Sequence, residues 1–257
     1  MGPAVSEENL KHYYNITFKS KSGGYGDHAS LNQWKHFFTY EKNMTLLHLA
    51  AQDGDTNAIK KLINKKAKFK KDIDGRTPLH YAAIAGKQET LETILKKSKC
   101  DGSEINRQDE YGNTPLHYAS NVGCIESLIK NGARIIKNNQ GHTPLHSAAI
   151  KRLKECVEYL IGISAINRNL DSRDNKHCTL LHYATKSGVG TQYISYLYKC
   201  GLTLIDDGEL IADESGKSLL FYAAMSGSCE YFVDFYTSLD PLRKGKKQMK
   251  NIKKHVK

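Results

Sequence analysis

The chain has 257 residues, a formal net charge of +11, and 39% hydrophobic and 9% aromatic residues. No run approaches the ~18 apolar residues of a membrane-spanning helix, and the eight Lys or Arg from Arg243 onward leave 30 bases against 27 acids before them. The body is therefore near neutral, and the Lys-rich end that holds the charge has no aromatic interleaving to stack bases, so no specific nucleic-acid site is expected. In chain order, residues 1–39 form a non-repeat segment. Within it, Lys19–Asp27 reads as a Gly-rich flexible loop, and Leu31–Phe38, with the single Trp34, reads as a short amphipathic helix. That helix either caps the first repeat or is a binding motif of its own.

From residue 40 to 236 one phrase recurs. It stands as Thr-Pro-Leu-His at Thr77, Thr114 and Thr143, as Thr-Leu-Leu-His at Thr45 and Thr179, and as Ser-Leu-Leu-Phe at Ser218. The intervals between starts are 32, 37, 29, 36 and 39 residues, the spacing of a helical repeat array. The residue types of the second copy predict its structure. Asp72–Arg76 is a turn, with Gly75 suited to positive φ and Asp able to bond its own backbone. Thr77 is an N-cap and Pro78 the first helical residue, where a missing N–H costs nothing. Leu79, Ala82 and Ala83 give an apolar face, Gly86 ends the helix, and Leu91, Ile94 and Leu95 space a second helix. Neither helix buries its stripe alone, so neighbouring copies must stack.

The copies also differ. The third is three residues short between Gly123 and Gly132, which predicts a second helix shortened by most of a turn. Arg152 and His177 stand where other copies have Gly, and exit segments enlarge at Lys99–Gly102 and Leu202–Ile211. Residues 237–257 form a Lys-rich tail, read as a solvated end that offers a loose hold on acidic surfaces or a nuclear-targeting run.

The phrase Thr-Pro-Leu-His-x-Ala-Ala-x-x-Gly resembles the signature of the ankyrin-repeat family over about six copies. The resemblance implies an all-α solenoid of stacked helix-turn-helix units with β-hairpin fingers, and a concave surface of helix faces and finger tips that binds a protein partner. It also implies a structural role for His48, His80, His117, His146 and His182, whose rings bond backbone and the Thr hydroxyl. One His per repeat places neighbours ~10 Å apart, too far to share a metal at ~2 Å bond lengths. Partner-binding residues on this pattern are Arg76, Tyr81, Glu110, Tyr111, Asn113, Tyr118, Gln140, His142, Lys151, Lys176 and Tyr183. They belong to a wider set of finger tips and first-helix ends that includes Ile73, Asp74, Ile84, Ile150, Lys186, Glu214, Lys217 and Met225. Tyr81, Tyr118, Tyr183 and Tyr222 share one slot. They read either as inter-helix packing with the hydroxyl near solvent or as interface anchors, with Tyr111, Tyr118 and His142 the central candidates.

Catalytic, cofactor and metal sites are not expected. Gly216-Lys217-Ser218 lacks the earlier Gly of a phosphate loop, and the six cysteines have no CxxC spacing and follow helix positions. Reduced thiols fit a cytoplasmic monomer. The leading function is a non-catalytic scaffold. The alternatives are the recognition part of a larger enzyme, transporter or ubiquitin-ligase adaptor, and an effector secreted into a host by an intracellular bacterium or parasite. The last rests on Lys outnumbering Arg and on frequent Asn, Ile and Tyr.

Overall fold

A computed structural model describes residues 44–67, 69–97, 102–167, 170, 172–187, 191–200, 202, 205–206 and 209–227. The N-terminal segment with its expected helix, the loop at residues 98–101 and the Lys-rich tail lie outside the described residues. The chain divides into two compact units, Met1–Asn139 and Gln140–Lys257.

The first unit holds α1 (Leu46–Asp53), α2 (Thr56–Asn64), α3 (Pro78–Ile84), α4 (Gln88–Lys97), the single turn α5 (Gly102–Ile105), α6 (Pro115–Tyr118) and α7 (Val122–Lys130). First helices pack on first helices, α1 on α3 and α3 on α6, and second helices likewise, α2 on α4 and α4 on α7. The small pairs Ala50-Ala51 and Ala82-Ala83 are fully buried, which lets successive helices approach closely, while Ile59, Leu79, Leu91, Ile94, Ile125 and Leu128 fill the layer between. Truncating any of these six to Ala removes contacts worth roughly 2–5 kcal/mol.

The second unit holds α8 (Pro144–Ile150), α9 (Lys154–Asn167), α10 (Leu180–Lys186), α11 (Thr191–Lys199), the antiparallel pair β1 (Ile205–Asp206) and β2 (Glu209–Leu210), and α12 (Leu219–Met225). Here α8 packs on α9 and α10, and α10 packs on α11 and α12. The enlarged Leu202–Ile211 exit contains the β1–β2 hairpin, so the class is all-α with one minimal ladder among the described residues.

The third repeat corrects the sequence expectation. Its second helix α7 keeps nine residues, as long as α2, and the first helix α6 is the one cut, to four. Ala119 leaves the helix at ψ 123°, and Asn121 takes over as N-cap, accepting from the Cys124 amide at 2.8 Å and donating to the Gly86 carbonyl at 2.9 Å. A side-chain cap fixed to the preceding repeat defines the start of α7, so the deletion is absorbed upstream of it. Arg152 and His177 keep the left-handed backbone of the Gly they replace, at φ 60° and 59°.

Candidate protein-interaction surface

Five of the described repeats start from the same local chemistry, and the sixth has Ser218 and Phe221 in its place. Thr45, Thr77, Thr114, Thr143 and Thr179 are N-caps whose amide donates to Nδ1 of the His three residues on, at 3.0 to 3.3 Å. In His48 and His80 the other ring nitrogen donates to the next repeat, to the Arg76 and Asn113 carbonyls, each at 3.1 Å. Both nitrogens of these rings are therefore occupied, one by the turn and one by the neighbouring repeat, and neither ring is available as a metal ligand or base. Desolvation, only partly opposed by the Asn113 carbonyl, lowers the His80 pKa to about 4. Burial also lowers His182 to about 4.

The fingers are held by aspartates. Asp72, Asp109, Asp174 and Asp213 each lie five residues before the cap. One carboxylate oxygen accepts turn amides, including those of Arg76, Asn113, Cys178 and Lys217 at 2.8 to 2.9 Å. The other oxygen accepts the hydroxyl of the tyrosine nine residues on. Tyr81, Tyr118, Tyr183 and Tyr222 donate at 2.7, 2.7, 2.5 and 2.6 Å. Burial would raise the Asp174 and Asp213 carboxyls, but the tyrosine and amide donors outweigh it and hold both below the ordinary value. The phenols move the other way, raised by burial and then by the carboxylate they face. The fourth repeat has Asn138 and Ser147 at these two places, so carboxylate and phenol are absent together. This Asp–Tyr pairing at nine residues was visible in the sequence as a spacing shared by four repeats.

The residue just before the cap ties one repeat to the next. Arg76 donates to the Tyr118 hydroxyl at 3.3 Å, lies 3.6 Å from the buried Asp109 carboxylate and sits over the Tyr118 ring at 5.3 Å. Asn113 donates to that hydroxyl at 3.1 Å within its own repeat and accepts from Asn138 of the next at 2.8 Å. In the second unit His142 Nε2 lies 3.1 Å from Asp174 Oδ2 and 2.9 Å from the Tyr183 oxygen. Because the Tyr183 proton is given to Asp174, that His142 nitrogen is the donor to both.

The candidate residues thus fall into two groups. Arg76, Tyr81, Asn113, Tyr118, His142 and Tyr183 are engaged in the Asp–Tyr nodes, and the tyrosine hydroxyls end on buried carboxylates instead of near solvent. Glu110, Tyr111, Gln140, Lys151 and Lys176 are exposed. With them stand Ile73 (55% exposed), Tyr111 (56%), Ile84 (39%), Ile150 (45%) and Met225 (64%), large apolar side chains left in water at finger tips and first-helix ends. Adjacent tips are linked by backbone. The Glu110 amide donates to Asp74 and that of Asn139 to Tyr111 in the first unit, and those of Asn175 and Glu214 to Gln140 and Lys176 in the second, at 2.8 to 3.1 Å.

A family model for ankyrin repeats in three copies matches residues 25–109 and 101–171. The chain belongs to the ankyrin-repeat family. It is 30% identical to human Inversin over 184 residues, 69% of this chain and 16% of Inversin. It is 34% identical over 168 residues to the human transient receptor potential cation channel subfamily A member 1, 63% of this chain and 14% of the channel. The chain thus spans a small fraction of either relative's length. Among solved structures, the ankyrin repeat domain of human ASB11 superposes with a TM-score of 0.62 at 23% identity, covering 75% of this chain and 84% of that one. Ankyrin repeats generally mediate protein–protein interaction. Among the described residues, no helix is long and apolar enough to cross a membrane.

Proposed function

We propose that the chain is a non-catalytic scaffold that binds a partner protein through its finger tips and first-helix ends, as a monomer, with the repeats occupying residues 40–236 between the N-terminal segment and the basic tail. The observation that carries this reading is the exposure of Ile84, Ile150 and Met225 at one first-helix position, seven residues after the cap, and of Ile73 and Tyr111 at the finger tips. A folded chain gains nothing for its own stability from such side chains in water, whereas a partner that covers them gains apolar burial of roughly 25 cal/mol per Å². The aspartates and tyrosines behind them satisfy one another within the frame, and among the described residues no nucleophile, base and oxyanion donor converge for chemistry.

Affinity capture with the whole chain tests this. Ile73→Asp with Tyr111→Asp is expected to lose the partners held by the first unit, while Tyr118→Phe, which alters a node, keeps them. Equal recovery of every captured protein by both variants removes this surface from consideration.

A second reading makes the same surface the recognition part of a longer protein. It is favoured by relatives such as the cation channel, whose matched segment is 14% of its length. Under it, an appended segment with its own activity is brought to the partner, and the full open reading frame decides between the two. The basic tail is assigned an auxiliary hold on acidic surfaces.

A further inference from the structure

We infer that the second unit carries a basic and apolar docking face, and that its occupant is an acidic, apolar segment of a partner protein. This rests on the scaffold reading and names the chemistry of one partner. At the finger tips and first-helix ends of residues 140–227, Lys151, Lys176, Lys186 and Lys217 are exposed, together with Ile150 and Met225. The one acid at these positions is Glu214. The basic character does not come from the repeat itself. Among the described residues, the matching positions of the first unit hold Asp53, Asp74 and Glu110, and the base there, Arg76, is occupied by Asp74 at 3.3 Å and Asp109 at 3.6 Å. Lys176, Lys186 and Lys217 have no ion-pair partner among the described residues, and Lys217 lies over the Phe221 ring at 5.2 Å.

The Asn175 and Glu214 amides bond the preceding tips at 3.0 and 2.8 Å, so the tips that carry these charges are held side by side on a fixed backbone. Exposed lysines on successive repeats, on the same tips and first-helix ends as Ile150 and Met225, suit an extended chain that alternates carboxylates with apolar residues. A nucleic acid suits the face less well. The Tyr183 and Tyr222 rings are half-buried with their hydroxyls on Asp174 and Asp213, and the exposed Phe221 ring is already faced by Lys217 at 5.2 Å.

The test is selection of a random-peptide display library on the whole chain, followed by fluorescence anisotropy on the enriched peptides. The expected result is enrichment of Asp and Glu alternating with apolar residues, and affinity that falls between ~50 mM and ~300 mM salt. Binding is expected to weaken at least tenfold in K176E/K186E/K217E and to be restored by exchanging Glu for Lys in the peptide. D74K/E110K is expected to leave these peptides bound, and circular dichroism melts matching the parent show that the variants fold. Enriched peptides that are neutral or basic, or that ignore the lysine reversals, overturn this inference and leave the scaffold reading standing. Failure to enrich any peptide counts against both. Tighter binding of a single-stranded RNA oligonucleotide or of phosphatidylserine vesicles, lost with the same lysines, overturns it in favour of a polyanion site.

Discussion

Mild acid is expected to unfold this protein through its cap histidines. A solvated histidine has a pKa near 6.5, and burial lowers His80 in the first unit and His182 in the second to about 4. The folded state therefore binds fewer protons than the unfolded chain between these values, and stability is full above pH ~6.5, falls as pH drops, and levels off below the folded pKa. Linkage gives about 2 kcal/mol lost per histidine at pH 5 and about 3 kcal/mol at the limit, at about 1.4 kcal/mol per unit. His48 and His142 are lowered by burial as well and act in the same direction. Asp174 and Asp213 are held below the ordinary carboxylate value, so their contribution is lost only at lower pH and does not mask the histidine window. The assay is urea unfolding followed by far-ultraviolet circular dichroism at pH 7, 6 and 5, with His80→Gln compared to the parent. The variant starts less stable but is expected to lose about 2 kcal/mol less on going to pH 5. A flat midpoint from pH 7 to 5, an unchanged pH dependence in His80→Gln, or a ring titration near 6.5 by NMR refutes the argument.

Four further outcomes are expected. Tyr118→Phe removes a hydroxyl donor from the fully buried Asp109 carboxylate and lowers stability by ~2 kcal/mol in urea unfolding. Arg152→Gly and His177→Gly relieve left-handed backbone at φ 60° and 59°, and each raises the melting midpoint by the equivalent of ~1 kcal/mol. Gly112→Ala forces a Cβ to 2.6 Å from the Asn139 backbone nitrogen at φ 76°, and is expected to destabilise by more than ~2 kcal/mol in the same assay. Ile73→Asp with Tyr111→Asp is expected to leave the melting curve unchanged while capture of partners of the first unit falls.

Legibility in the sequence followed the range of the interaction. The Thr cap, the Pro after it, the His three residues on and the Ala pair act within one turn, so their positions could be placed from the phrase alone. The Asp–Tyr nodes span nine residues and then reach the neighbouring repeat through Arg76 or His142, and only the folded backbone brings these groups together. For the same reason Tyr118 and His142 looked like interface anchors when read singly, although the hydroxyl and the ring nitrogen are both committed to a buried carboxylate. The shortened third repeat was read wrongly because deletion length gives no indication of which helix yields. Asn121 decides that by capping α7 and bonding the Gly86 carbonyl. The left-handed backbone at Arg152 and His177 was signalled by the missing Gly, but that the backbone kept its shape instead of rearranging was not.

The nodes also explain how surface chemistry can vary on a constant frame. Asp72, Asp109, Asp174 and Asp213 each satisfy turn amides and a phenol, so a finger keeps its shape through side chains that point inward. Tip residues such as Tyr111 and Lys176 bond the turn aspartate and the adjacent tip through their backbone, while their side chains, like those of Ile73 and Ser215, are exposed. Stability and recognition should then separate under mutation. Changing a node, as in Tyr118→Phe, costs stability and spares binding to the extent that the chain stays folded, and changing a tip side chain does the reverse. The separation fails if tip variants melt early, which would mean that their side chains support the finger. It also fails if Tyr118→Phe abolishes capture at a temperature well below its melting midpoint, which would place the tyrosine ring itself in the interface.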